Sequence, residues 1–282
     1  MKVITWPSGR MVPALGQGTW NMGEDASQAR REVAALQLGL DLGMTLIDTA
    51  EMYGEGGAEK VVGQAIAGRR DEVYLVSKVY PHNADRAGAQ AACERSLKRL
   101  NVDCIDLYLL HWPGSVPLDE TLDVFQRLQQ AGKIRDYGLS NFDTEGMQEA
   151  FELTAGAAIA TDQVLYNLGR RGIEWDLLPW CRRHRMPLMA YSPLESTGKE
   201  QAALLGNLAL KALADAHDAT PAQIALAWVL HQEGVIAIPK ASDPAHVRGN
   251  RAAADIVLAP NELAALDRAF PPPRAARPLL MR

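Results

Sequence analysis

The chain has 282 residues, 48% of them hydrophobic and 22% charged, with a formal net charge of −5. That is the composition of an ordinary globular protein with enough apolar material for a large core. The mildly acidic balance argues against a general nucleic-acid or membrane-surface role, because no basic face dominates.

In chain order, the opening MKVITWPSGR reaches a turn too soon to be a signal peptide, and no apolar run approaches the ~20 residues of a membrane helix. Cys93, Cys104 and Cys181 show no CxxC spacing and read as reduced thiols of a cytoplasmic protein. The stretch VITWPSGRMVPALGQGTW sets a Pro-Ser-Gly-Arg turn between two strand-like runs, which predicts a β-hairpin. Beyond it, amphipathic helical stretches such as 27–42 and 86–100 separate short β-rich runs. These runs are TLIDTA, EVYLVSK, IDLYLLH, IRDYGLS, TDQVLYN, PLMAYSP and VIAIPK, and ALGQGTW makes eight.

Nearly unbroken apolar strands alternating with helices indicate βαβ units and a parallel sheet covered on both faces. Eight units in about 250 residues predict an α/β fold of (β/α)8 TIM-barrel type, one domain over 1–282, with the hairpin capping the barrel bottom. A doubly wound open sheet fits less well, since no GxGxxG follows the first strand and GEGG at 54–57 lacks that spacing. STGK at 196–199 is not a phosphate loop, because the upstream glycine and the strand context are missing. The tail PPPRAARPLLMR is expected to run irregularly over the surface or near the barrel mouth, and its shortness predicts an open, permissive pocket.

Parallel barrels carry their chemistry at the C-terminal ends of their strands. Those ends are Trp20, Asp48, Lys78, His111, Ser140–Asn141, Gln163, Tyr191–Ser192 and Lys240. A lone strand-end lysine is more often a snorkelling surface residue. Here closure would gather an acid, a base and an imidazole around one mouth, where a buried Lys and a buried Asp need each other. Tyr53 follows Asp48 in AEMYGEGGAEK. A phenol titrates near 10, and a lysine cation beside it is expected to lower that value.

These motifs resemble the aldo-keto reductase family over nearly the whole chain. The carboxylate motif stands as GMTLIDTAEMYGEGGAEKVVG, the lysine motif as LVSK and the histidine motif as LHWP, followed in order by GLSNF, DQVLYN, AYSPL and IPKAS. The GEGG loop sets Glu59 further from Tyr53 than in many members. The resemblance implies reduction of small carbonyl compounds (aldehydes, dicarbonyls or sugar-derived carbonyls) by hydride from a nicotinamide dinucleotide, with no metal. In that scheme Tyr53 is the general acid, Lys78 paired with Asp48 tunes it, and His111 orients the carbonyl beside Trp20 and Trp112.

By the same resemblance Tyr191 stacks on the nicotinamide, and Ser140, Asn141 and Gln163 bind its carboxamide. Ser192 and Leu194 line the pyrophosphate. The adenosine end falls on Lys240, Ala241, Ser242, His246 and Asn250, where Asp243–Pro244 reads as the cap and first position of a helix able to meet an anion. Many NADP-dependent members have Lys-Ser, then Arg where this chain has His246 and Glu where it has Gly249. The expectation is NADP as cofactor, NAD as the weaker alternative, and a monomer. The rival readings are a nucleotide-binding barrel that serves as a redox-sensing partner without turnover, and a barrel isomerase or metal-dependent hydrolase. The last would need a phosphate-binding glycine loop or a ligand cluster, and the sequence shows neither.

Overall fold

A computed structural model of the chain describes residues 1–154, 159–196 and 198–282. Strand β1 (Val3–Thr5) pairs antiparallel with β2 (Met11–Pro13), and Gly9 takes a positive φ of 83° in the predicted turn. Trp6 is buried beneath this hairpin and stacks on Tyr74 with 5.7 Å between ring centres. Arg10 binds Asp106 at 2.6 Å, and the Ser8 hydroxyl donates to Asp136 at 3.0 Å. Tyr74, Asp106 and Asp136 stand near the starts of three barrel strands, so the hairpin caps the bottom as the sequence predicts.

The barrel begins with β3 (Gln17–Gly18), α1 (Ala29–Asp41), β4 (Leu46–Asp48) and α2 (Gly57–Ala65). It continues through β5 (Tyr74–Val79), α3 (Arg86–Leu100), β6 (Ile105–Leu110), α4 (Leu118–Gln130), β7 (Ile134–Ser140) and α5 (Thr144–Leu153). Then come β8 (Ile159–Leu165), α6 (Leu177–Arg183) and β9 (Leu188–Tyr191). Three helices follow, α7 (Gly198–Leu205), α8 (Leu208–Ala216) and α9 (Pro221–His231), before β10 (Val235–Ala237), α10 (Pro244–Ala253) and α11 (Pro260–Ala269).

Among the described residues, eight strands from β3 to β10 pair in parallel and in chain order. The ring closes where Leu15 bridges Ala237 and Gly18 bridges Lys240, with the Gly16 N–H donating to the Ala237 carbonyl at 2.8 Å. Gly18 is required at this seam, because a Cβ there would stand 2.7 Å from the Ile238 carbonyl oxygen.

The first barrel strand is shorter than ALGQGTW suggests. Only Gln17 and Gly18 enter the ladder with β4; the Thr19 hydroxyl takes the Asp48 carbonyl at 3.0 Å, and exposed Trp20 falls in the next turn. The helices bury one stripe each, as Leu122, Phe125 and Leu128 do on α4. Sequence-local caps fix several of their starts. Asp85 accepts the Ala87 and Gly88 N–H groups, and Thr220 with Gln223 forms a capping box ahead of α9. No helix among the described residues is long and apolar enough to cross a membrane.

Candidate active site

Asp48 ends β4, Lys78 is the second-last residue of β5, and His111 follows β6 directly. Tyr53 reaches the same point from the turn after β4. Lys78 is fully buried, and its Nζ donates to Asp48 Oδ2 at 2.8 Å, the Thr49 carbonyl at 2.8 Å and the Tyr53 hydroxyl oxygen at 3.2 Å. Three acceptors match the three hydrogens of an ammonium group. Burial pushes the Lys78 pKa down, and the Asp48 and Glu59 carboxylates oppose it.

Because the Tyr53 oxygen accepts from Lys78, its own hydrogen is left for another acceptor, and none is supplied among the described residues. Burial pushes this phenol well above its ordinary 10, and the Asp48 charge adds to the effect. This corrects the expectation that Lys78 lowers the tyrosine. Desolvation of a phenolate in this buried site is the largest effect, so Tyr53 holds its proton.

His111 meets the Tyr53 ring edge-on, with 5.7 Å between centres. Burial, then the Lys78 cation, hold its imidazole well below the ordinary 6.5, so the ring is neutral. Nδ1 is buried with no partner. An unpaired N–H there would cost more than an unpaired lone pair, so we assign the single hydrogen to Nε2.

The residues expected around a nicotinamide are tied to this group by bonds that nothing in their spacing signals. Gln163 Nε2 donates to Asp48 Oδ1 at 2.7 Å, which fixes the carboxylate oxygen that Lys78 does not use. Asn141, with φ of 62°, donates to the His111 carbonyl at 3.0 Å and to Ser140 Oγ at 3.1 Å. The Ser140 hydroxyl donates to the Gln163 carbonyl at 2.8 Å, and the Tyr191 hydroxyl donates to Asn141 Oδ1 at 2.8 Å. The amide and hydroxyl groups of Ser140 and Asn141 therefore already serve internal partners, while the Gln163 amide oxygen carries no bond among the described residues.

These side chains line a cavity of about 590 Å³. Trp20, Met52 and Trp112 form its apolar wall, and Ser192, Leu194 and Lys240 also line it. Ala241, Ser242, His246 and Asn250 are not in the cavity wall. They sit on the ledge past Lys240, with exposed His246 and half-buried Asn250 one turn apart on α10. Of STGK, Ser196 lines the cavity and Thr197 lies outside the described residues.

The GEGG run seats the Tyr53 turn. Gly54 and Gly56 take φ of 55° and 84°, and a Cβ on Gly57 would stand 2.3 Å from the Gly23 carbonyl oxygen. Glu59 lies buried behind the turn, bonded to Ser77 and Arg99.

Three contributors were assigned no role by the sequence. Buried Glu51 accepts from the Tyr80 N–H at 2.9 Å and from Asn83 Nδ2 at 3.0 Å, which holds the Tyr80 ring edge-on to Trp112. It lies inside the quoted carboxylate motif, where its signal is a charge three residues past a buried strand. The tail reaches the cavity, where Met281 and Arg282 form part of the wall and Arg282 binds Ser196, Glu195 and Glu200. The tail thus lies beside the barrel mouth, one of the two places expected from the sequence, with its end held by ion pairs. The third is Arg31, which contacts Ser242 and Asp243 on the ledge.

A closed (β/α)8 barrel with a Tyr-Lys-Asp-His cluster at its C-terminal face is the architecture of a carbonyl oxidoreductase. The Aldo/keto reductase family model matches residues 14–270, and the chain belongs to that family. It is 54% identical over 280 residues to methylglyoxal reductase YeaE of Escherichia coli K12, covering 99% of each chain. It is also similar to a solved aldo/keto reductase of Klebsiella pneumoniae in complex with NADP and acetate. That match has a TM-score of 0.97 at 52% identity and covers 100% of this chain and 99% of that one. A thermostable aldo-keto reductase, Tm1743, solved with the inhibitor epalrestat, matches at TM-score 0.88 and 39% identity, covering 95% of this chain and 100% of that one.

Proposed function

We propose that the chain reduces small aldehydes and 2-oxoaldehydes of the methylglyoxal class to alcohols, with NADPH as the preferred dinucleotide and NADH the weaker one. The observation that carries this reading is the Lys78 ammonium shared between Asp48 and the Tyr53 hydroxyl, beside a neutral His111. The cofactor fits the residues present. The Tyr191 ring lies at the cavity wall, the Gln163 amide oxygen is unbonded nearby, and Lys240, which lines the cavity a few residues ahead of the α10 N-terminus, offers positive charge for phosphate. Bound NADPH would supply the hydride.

In this scheme the substrate carbonyl oxygen accepts from His111 Nε2–H and from the Tyr53 hydroxyl. Tyr53 releases its proton to that oxygen as it becomes an alkoxide, and Lys78 stabilises the phenolate left behind. Reduction thus consumes one hydride and one proton, and the phenolate recovers its proton from solvent. Trp20, Met52 and Trp112 screen the site from water with an apolar wall suited to small carbonyl compounds. Similarity to a methylglyoxal reductase supports the substrate class.

The test is Tyr53→Phe, assayed with methylglyoxal and with a panel of larger aldehydes. Loss of a general acid lowers kcat by about 10²–10⁴-fold, while the retained ring leaves NADPH affinity unchanged. A variant keeping more than about a tenth of wild-type kcat would sink the role of Tyr53. A higher kcat/KM for bulky aromatic aldehydes than for methylglyoxal would overturn the substrate class.

A further inference from the structure

The ledge beyond Lys240 carries a carboxylate where the proposed dinucleotide would bring its adenosine end. Asp243 caps α10 by accepting the Ala245 N–H at 2.8 Å, and left alone it repels a phosphate. Arg31 reaches it from α1, which packs beside α10. Its Nη2 donates to Asp243 Oδ2 at 2.7 Å and its Nε to the Ser242 carbonyl at 3.0 Å. A guanidinium has five N–H donors, and among the described residues no other acceptor takes the remaining ones. The Ser242 hydroxyl on the same ledge is buried without a partner. The other basic groups nearby are weaker anchors: Lys240 is an exposed point charge on a flexible stem, and exposed His246 lacks the forked donors of a guanidinium.

We propose that Arg31 is a cofactor-specificity residue that screens Asp243 and donates its remaining N–H groups to the 2′-phosphate of bound NADP(H). The inference rests on the dinucleotide reading above and extends it to a residue far away in sequence. Two bonds to the ledge hold the guanidinium in place, so its planar face of donors is pre-set for a phosphate. A dinucleotide without the 2′-phosphate gains nothing from it, and that difference is the specificity.

The test measures binding of 2′,5′-ADP and 5′-AMP to the full chain by calorimetry, for the wild type, Arg31→Gln and Arg31→Gln/Asp243→Asn. Arg31→Gln should weaken 2′,5′-ADP by about tenfold, the size of one exposed charge-assisted contact, and leave 5′-AMP within about twofold. The double variant should recover about threefold of that loss, since asparagine caps a helix as well as aspartate does and removes the unscreened charge. An unchanged thermal midpoint and an unchanged far-UV circular dichroism spectrum check that the fold is intact. Unchanged 2′,5′-ADP binding in Arg31→Gln overturns the inference, as does an equal loss for both nucleotides, which would mark a merely structural role. A wild type that binds the two nucleotides equally overturns the NADPH preference itself, so the two failures are told apart by the wild-type measurement. Failure of the double variant to recover affinity overturns the screening of Asp243.

Discussion

At the scale of the residue, the site is a pair of opposite charges beside two neutral hydrogen-bond donors that face the cavity. Asp48 and Lys78 pair with each other, and burial is the main influence on the remaining groups, raising Tyr53 with help from Asp48 and lowering His111 with help from Lys78. With the phenol above 10 and the imidazole below 6.5, neither group changes protonation between those limits. Carbonyl reduction should therefore show a flat kcat/KM across pH 6.5–9, and the reverse alcohol oxidation should climb with pH. An inflection near pH 6.5 in reduction, absent from His111→Gln, would contradict a neutral His111. Stability has the matching sign. Below about pH 6.5 the unfolded chain binds a proton at this histidine and the folded chain does not, so His111 costs up to about 1.4 kcal/mol per pH unit as the pH falls. Urea unfolding at pH 7.5 and 5 should show a smaller drop for His111→Gln than for the wild type.

At the scale of the element, the hairpin and the strand starts form a clasp separate from the chemistry. Asp106 is almost fully buried and holds Arg10 at 2.6 Å, Arg70 at 2.7 Å and the Leu75 N–H at 2.9 Å. It thereby ties the hairpin and the segment before β5 to β6. Asp106→Asn keeps the shape and removes the charge, leaving arginines beside a neutral amide. The expected cost is about 2–3 kcal/mol, below that of a fully buried pair because the arginines are partly exposed to water. Denaturant midpoints should fall accordingly while kcat/KM for methylglyoxal stays at the wild-type value, since the clasp lies at the opposite end of the strands. A large loss of kcat/KM with an intact fold would show that bottom and mouth are coupled.

At the scale of the whole molecule, one seam both closes the barrel and forms part of the cavity wall. Gly18 bridges Lys240 there, and its missing side chain lets β3 approach the chain after β10. Gly18→Ala should cost about 1–3 kcal/mol from overpacking. It should also weaken dinucleotide binding, because Lys240 shifts with the seam. Fluorescence titration with NADPH beside urea unfolding checks both effects, and lower stability with unchanged affinity would separate Lys240 from the seam.

The alternation of apolar runs with helical stretches was enough to specify the barrel and its hairpin, because strand and helix periodicity are local properties of the chain. The same runs end on Asp48, Lys78 and His111, so the cluster was legible as soon as the strands were laid side by side in order. Other features were not legible. The raised Tyr53 pKa depends on how completely water is excluded, and no spacing encodes that. The bond from Gln163 on β8 to Asp48 on β4 crosses the barrel between strands that are not neighbours. Arg31 meets Asp243, and Arg282 meets Glu195, across more than eighty residues of chain. Such contacts exist only once the barrel has closed, since closure brings together the far ends of the sequence and removes the solvent that would otherwise screen their charges.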